Sequence, residues 1–388
     1  MRPLLALGLL AAPLPAQEAV LWSLGESPGD RLGACVAACG DVDGDGFPDW
    51  IVGVPKADAN GPNSGSALVY SGLSGGLLLR FDGAASGVEL GSAVGGAGDV
   101  NGDGHDDLIV GAPRRSVGFL SNGEALVFSG ADGTVLHTIT GTHQFGFTGS
   151  AVAGAGDVDG DGKSDFLVAT PYADTNGIDS GEVEVYSGQS GALIRAHSGD
   201  TPGAHYGSAL AGGRDVNGDG RCDYLVGAPA DGTNGTDAGI AKLYSGLDGS
   251  ALGYQLGTTG DRLGACVAFL GDLDQNGRDE YGFGAPGFGG GAGAVYVRDD
   301  AGAPLFSAFG TSTEGLGSSL AAAGQPLGDG THCVLVGAPL AGGGGRALLL
   351  TASGAVAGDL PRPSQAASFG TSVPSDFDAN GDGRDELL

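Results

Sequence analysis

The run Asp41-Val-Asp-Gly-Asp-Gly-Phe-Pro-Asp49 sets carboxylates at positions 1, 3, 5 and 9 of one short loop, with glycine at 4 and 6. Calcium takes six to eight oxygens in a flexible cage of carboxylates, amides and backbone carbonyls. Asp41, Asp43, Asp45, the carbonyl of Phe47 and a two-oxygen contribution from Asp49 fit that demand, and Gly46 permits the sharp turn. The pattern returns as Asp99, Asn101, Asp103, His105 and Asp107, then as Asp157, Asp159, Asp161, Lys163 and Asp165. It returns again as Asp215, Asn217, Asp219, Arg221 and Asp223, as Asp272, Asp274, Asn276, Arg278 and Glu280, and as Asp378, Asn380, Asp382, Arg384 and Glu386. In each set the seventh residue offers its carbonyl. A degraded copy has Gln325, Leu327 and Cys333 at positions 1, 3 and 9, and no metal is expected there. An EF-hand has the same early spacing but needs Glu at position 12 and a following helix. Position 12 here is Val52, Val110, Val168 or Val226, inside an apolar run. Six loops put twenty acidic side chains at ligand positions, and six Ca2+ would bring the net charge of −29 to −17. About six structural calcium sites are therefore expected.

The loops must be carried by something periodic. Their first residues lie 58, 58, 58 and 57 apart; the degraded copy follows after 53 and the last after another 53, making seven copies. Each loop is followed by a short apolar run ending in Gly-x-Pro, as at Val54-Pro55, Ala112-Pro113, Ala228-Pro229, Ala285-Pro286 and Ala338-Pro339. Asp107 to Pro113 is too short and too β-branched for a helix. Each loop is preceded by a small-residue strand opened by an apolar-Gly pair: Leu32-Gly33, Leu90-Gly91, Tyr206-Gly207, Leu263-Gly264, Leu316-Gly317 and Phe369-Gly370. Two further strands, such as 67–70 and 77–81, are joined by a Ser-Gly-x-x-Gly turn. Four short antiparallel strands with two apolar faces cannot bury both alone, whereas seven such sheets stacked round an axis can. The expected fold is all-β: a seven-bladed β-propeller of four-stranded antiparallel blades.

Linked in this order, apolar-Gly, the Asp-rich loop and Gly-Ala-Pro are the FG-GAP repeat. The chain resembles the seven-bladed propeller at the N-terminus of integrin α chains. The resemblance runs through the whole mature chain, except that copy six departs at its loop and copy three has Ala169-Thr-Pro171 for Gly-Ala-Pro. No other integrin domain is present, so the resemblance implies the propeller and not a receptor.

Arg2, the apolar stretch 3–14 and Ala16 read as a signal peptide over 1–16, leaving 17–388 as the propeller. No later run approaches the ~20 apolar residues of a membrane span. Residues 19–24 resemble the fourth strand of a blade, and the chain stops inside the second strand of the last one. The N-terminal strand is expected to complete that last blade, with roughly 25 residues expected beyond Leu388 from the repeat period. Cys35 and Cys266, matched to Ser92, Ser208 and Ser318 of other repeats, read as small core residues, and an odd count of five cysteines argues against a full disulfide framework.

The composition excludes some functions. A net charge of −29 leaves no basic footprint for nucleic acid. Gly72-Leu-Ser74-Gly-Gly76 matches the hydrolase Gly-x-Ser-x-Gly pattern but falls in a hairpin turn rather than between strand and helix. Gly162-Lys163-Ser164 lies in an Asp-rich loop, not a phosphate loop. The face opposite the Asp-rich loops holds the longer connections, with Arg114, Arg115, Phe119, His143, Phe145, Phe147, Tyr172, His205, Tyr206 and Phe288. That face is where a protein or polysaccharide ligand would meet the propeller. The expectation is a secreted or cell-surface, monomeric, calcium-binding adhesion or ligand-binding scaffold without catalytic residues. The alternative is a propeller-borne lyase or hydrolase of extracellular polysaccharide.

Overall fold

The computed structural model describes residues 27, 29–360 and 369–373. Its sheets are six four-stranded antiparallel blades with strands in simple sequence order. The first is Val36–Gly40, Asp49–Val54, Ser66–Tyr70 and Leu77–Asp82. Later blades begin with the inner strands Ala93–Gly98, Val152–Gly156, Ala209–Arg214, Cys266–Gly271 and Ser319–Ala322. From blade one to blade six each inner strand packs on that of the next, which is the radial stacking of a propeller. Six blades are thus described rather than the seven counted from the repeat. The residues assigned to the seventh, 19–24 and 374–388, lie outside the described residues, as do residues 1–16, read from sequence as a leader, and the last Asp-rich loop.

The second strand of every blade, from Asp49–Val54 to Cys333–Ala338, is buried at every position. That is why these runs are continuously apolar rather than alternating. The outer strands are largely exposed instead: in Leu77–Asp82 only Phe81 is buried, and it stacks on Phe128 of the next blade with ring centroids 4.0 Å apart.

The two glycine motifs meet across the blade boundary. Gly91 N–H donates to Gly111 O at 3.0 Å within blade two. A Cβ on Gly111 would lie 1.9 Å from the carbonyl oxygen of Gly149 in the next repeat. The same approach recurs at Gly53 to Gly91, Gly227 to Gly264, Gly284 to Gly317 and Gly337 to Gly370. Gly111→Ala is therefore expected to destabilise the fold by about 3 kcal/mol, because backbone rather than a flexible side chain must give way. A urea midpoint equal to wild type would refute that contact.

All five cysteines are free thiols. Cys35 and Cys266 donate to Gly91 O (3.3 Å) and Gly317 O (3.1 Å) across the same boundary, where Ser319 donates to Gly370 O (2.8 Å). Their counterpart is therefore Ser319. The serines matched to them from sequence lie one place earlier and close local turns, Ser92 onto Glu89 O, Ser208 onto His205 O and Ser318 onto Gly315 O. Two adjacent small residues follow each apolar-Gly pair, and sequence alone had aligned them one residue out of step.

Candidate functional site

In each of the five described Asp-rich loops the first aspartate organises the turn. Asp41 Oδ1 accepts from the N–H groups of Gly44 (2.8 Å) and Asp45 (3.0 Å), and its Oδ2 accepts from Gly46 (2.9 Å). Asp99 and Asp215 make the same three bonds in their loops. Asp157 bonds Gly160 and Gly162, and Asp272 bonds Asn276 and Gly277. The ninth residue starts the buried second strand and is wholly inaccessible: Asp49, Asp107, Asp165, Asp223 and Glu280 are each 0% exposed. Asp107 Oδ2 accepts from Val100 (2.9 Å) and Asn101 (3.3 Å), and its Oδ1 from Gly130 in the strand 3–4 turn (2.9 Å).

Burying these carboxylates pushes their protons on more tightly. Asp49 and Asp165 rise to about 6 and Glu280 to about 7, with backbone N–H bonds opposing burial in each case. Asp107 and Asp223 shift upward for the same reason.

Ligand atoms converge within 4.8 Å in three loops: Asp41, Asp43 and Asp45; Asp157, Asp159 and Asp165; Asp272, Asp274 and Glu280. Loops two and four have Asn101 and Asn217 at position 3, whose amides donate to Asp103 (2.8 Å) and Asp219 (2.9 Å). Glu280 provides the sharpest test of fit. Its Oε2 accepts from Leu273 (2.5 Å) and Asp274 (3.3 Å), while its buried Oε1 has no hydrogen-bond partner. A buried carboxylate oxygen without a donor is costly unless a cation or water meets it. Acidic clusters able to hold a metal are present, and the donor set is all oxygen, as calcium requires. In the degraded sixth loop Gln325 Nε2 contacts His332 Nε2 at 2.9 Å instead.

Sequence reasoning assigned position 7 only its carbonyl. The structure shows that its side chain reaches back to the loop of the preceding blade. His105 Nδ1 meets Val42 O at 2.9 Å, Lys163 Nζ donates to Asn101 O at 2.5 Å, and Arg278 Nη1 donates to Val216 O at 3.1 Å. Arg221 Nη1 lies 3.9 Å from Asp157 Oδ2. These side chains lie over Gly44, Gly102, Gly160 and Gly218 at position 4, where a Cβ would strike them at 3.0 Å or less. Loop five shows the converse: the next loop has Thr331 at position 7, and position 4 is Gln275 at φ 63°. The run of His105, Lys163, Arg221 and Arg278 was the available signal. Arg278→Ala is expected to cost about 1 kcal/mol, the loss of its bond to Val216 and of a 3.7 Å ion pair with Asp300 at a partly exposed site. Thermal melting in excess calcium reads it, and an unchanged midpoint would show that this latch does not stabilise the ring.

On the opposite face several of the residues singled out from sequence form one belt. Arg114 carries its guanidinium 5.8 Å from the ring centre of Phe147; Phe147 meets Tyr172 edge-on at 5.4 Å, and Tyr172 meets His205 at 4.6 Å. Arg114 Nε also lies 3.0 Å from Glu89 Oε1, which Lys56 pairs with at 2.5 Å. His143 lies 3.7 Å from Glu182, and Phe119 and Phe145 are about half exposed. One of the set is not a surface ligand group: Tyr206 is 1% exposed and donates its hydroxyl to Tyr244. Phe288 is half-buried and packs on the exposed ring of Phe309. Tyr206 is the apolar member of its apolar-Gly pair, so it faces the blade interior like Leu90 and Leu263.

The residue before the apolar-Gly pair, which in blade three is Thr148-Gly149, is left-handed in five blades without being glycine: Arg31, Glu89, Phe147, His205 and Arg262 have φ between 51° and 59°. Gly315 fills the same place in blade six. Each such side chain costs about 1 kcal/mol over glycine, and strain of this kind gathers at functional surfaces.

These features define an all-β propeller of four-stranded blades. The FG-GAP repeat family matches residues 90–128 and 148–190, and these repeats are similar to those of integrin α chains. It is 33% identical over 214 residues to integrin alpha-V of Gallus gallus, covering 51% of this chain and 20% of that one. It is 39% identical over 145 residues to integrin alpha-IIb of Homo sapiens, covering 34% and 14%. The chain thus spans a fifth or less of the length of these relatives. Among solved structures it is similar to the exotype rhamnogalacturonan lyase YesX, with TM-score 0.45 and 19% identity over 84% of this chain and 57% of that one. A likeness at that level decides nothing about chemistry.

Proposed function

We propose that this chain is a secreted or cell-surface, calcium-loaded scaffold for adhesion or ligand binding, and not an enzyme. In this reading residues 1–16 are a leader, 17–388 are one monomeric seven-bladed propeller, and the metals are structural. The observation that carries it is the ninth carboxylate, wholly buried in five successive blades behind a ring of further oxygens, with one oxygen of Glu280 left without a donor. A protein gains nothing from five buried carboxylates with raised proton affinity unless cations neutralise them.

Two contacts support a seventh blade. Phe369 bridges Gly345, and Gly370 closes on Gly337, as each earlier repeat opens against the blade before it. Among the described residues, no contact between the inner strands of blades six and one matches those joining the other neighbours. That leaves a place in the ring for one more blade.

The belt from Lys56 through Arg114, Phe147 and Tyr172 to His205 is the proposed ligand surface. Fold alone does not fix function, so the test must read both binding and turnover. The mature protein is applied to an array of extracellular proteins and polysaccharides in calcium and in chelator, with products monitored on every hit. Calcium-dependent binding that Tyr172→Ala and Phe147→Ala weaken at least about tenfold, without product, is the expected result. Product formed from any bound polysaccharide would overturn the scaffold reading.

A further inference from the structure

A cleft of about 370 Å3 lies between the outer strand of blade one and the third strand of blade two. Its walls are apolar, with Phe81, Val88, Leu126 and Phe128 among them. Two opposite charges, Arg115 and Glu124, face into it. The other charged pair of the lining, Arg80 and Asp82, is joined at 2.9 Å. Arg115 and Glu124 are not joined. Among the described residues neither side chain makes a hydrogen bond or ion pair, and the buried Arg115 Nε has no partner. They sense each other only through space.

A buried guanidinium N–H without an acceptor is rare, because the lost hydration is not replaced. An unpaired cation and an unpaired anion on one apolar cleft are complementary to a ligand that carries both charges on a greasy body. We propose that this cleft binds a free apolar α-amino acid, its carboxylate on Arg115, its ammonium on Glu124 and its side chain against Leu126 and Phe128. A simple carboxylate would meet Arg115 but set its charge against Glu124. A simple amine would do the reverse. A polysaccharide would find too few hydrogen-bonding groups on these walls. The volume lies within the range of small-molecule sites. The cleft borders the belt, since Arg115, Val88 and Leu90 flank Arg114 and Glu89, but its lining includes none of the belt's aromatic rings and no residue of the Asp-rich loops, so it does not depend on the scaffold reading.

The test uses the full calcium-loaded chain and L-phenylalanine as probe, followed by isothermal titration. Saturable binding is expected. L-phenylalanine methyl ester, which lacks the carboxylate charge, and N-acetyl-L-phenylalanine, which lacks the ammonium, should each bind at least about tenfold more weakly. Arg115→Gln and Glu124→Gln should weaken the parent amino acid to a similar extent while leaving the melting temperature in place. Should either variant fail to fold, the two analogues on the wild-type protein decide the matter alone. Absence of saturable binding for both L-phenylalanine and L-leucine, or affinity that ignores the loss of either charge, would overturn the proposal.

Discussion

Asp107→Ala is expected to lower stability in calcium by about 4 kcal/mol, and by distinctly less in chelator. Asp107 is fully buried and accepts three backbone N–H groups, from Val100, Asn101 and Gly130. Alanine leaves those donors inside the blade with no acceptor, at about 1–3 kcal/mol for each left unsatisfied. It also removes the ligand that joins the loop to the strand 3–4 turn. In chelator part of the loss is offset, because the carboxylate is then a buried anion whose burial is unfavourable. Asp107→Asn keeps an acceptor of similar shape and should fall between. Urea denaturation of both variants with and without calcium measures these differences. If Asp107→Ala loses the same amount in calcium as in chelator, Asp107 holds no metal.

Removing the metal from the whole ring should have the larger effect. With calcium tenfold above the dissociation constant, each site adds roughly 1.4 kcal/mol. Five described loops then contribute about 7 kcal/mol, comparable with the whole stability of an ordinary domain. The effect should also depend on pH in a defined direction. The ninth carboxyls of loops one, three and five have folded values of about 6, 6 and 7, against ordinary values of 3.8, 3.8 and 4.5. A raised carboxyl binds its proton more tightly in the folded chain than in the unfolded one. Its contribution is therefore full below the ordinary value and is lost as pH rises through the folded one. In chelator the melting temperature should fall from about pH 4 to pH 7, with the general repulsion of the −29 chain adding to the fall. Calcium displaces those protons, so the gap between the curves with and without calcium should widen over the same window. Parallel curves would rule out calcium at these carboxylates.

What the linear chain determined and what folding decided divide along the blade boundary. Asp41 to Asp49, the apolar run after it and the Ser-Gly turn lie within one repeat, so their contacts are local and recur with its period. The strands expected at 67–70 and 77–81 form as Ser66–Tyr70 and Leu77–Asp82, each longer by one residue at one end. The buried ninth ligand follows from that same periodicity, since position 9 opens a strand that is apolar throughout. Contacts between blades have no such signal. His105 reaches Val42 across 63 residues and Arg278 reaches Val216 across 62, and a one-residue offset in matching repeats is enough to confuse Ser318 with Ser319. Tyr206 reads as a surface aromatic until the apolar-Gly pair is seen to point inward. Arg115 and Glu124 are nine residues apart, but the cleft they face exists only because Phe81 of another blade forms its far wall. A repeat encodes its own hydrogen bonds, whereas the neighbour that each blade presents to the next is set by how the blades stack round the axis.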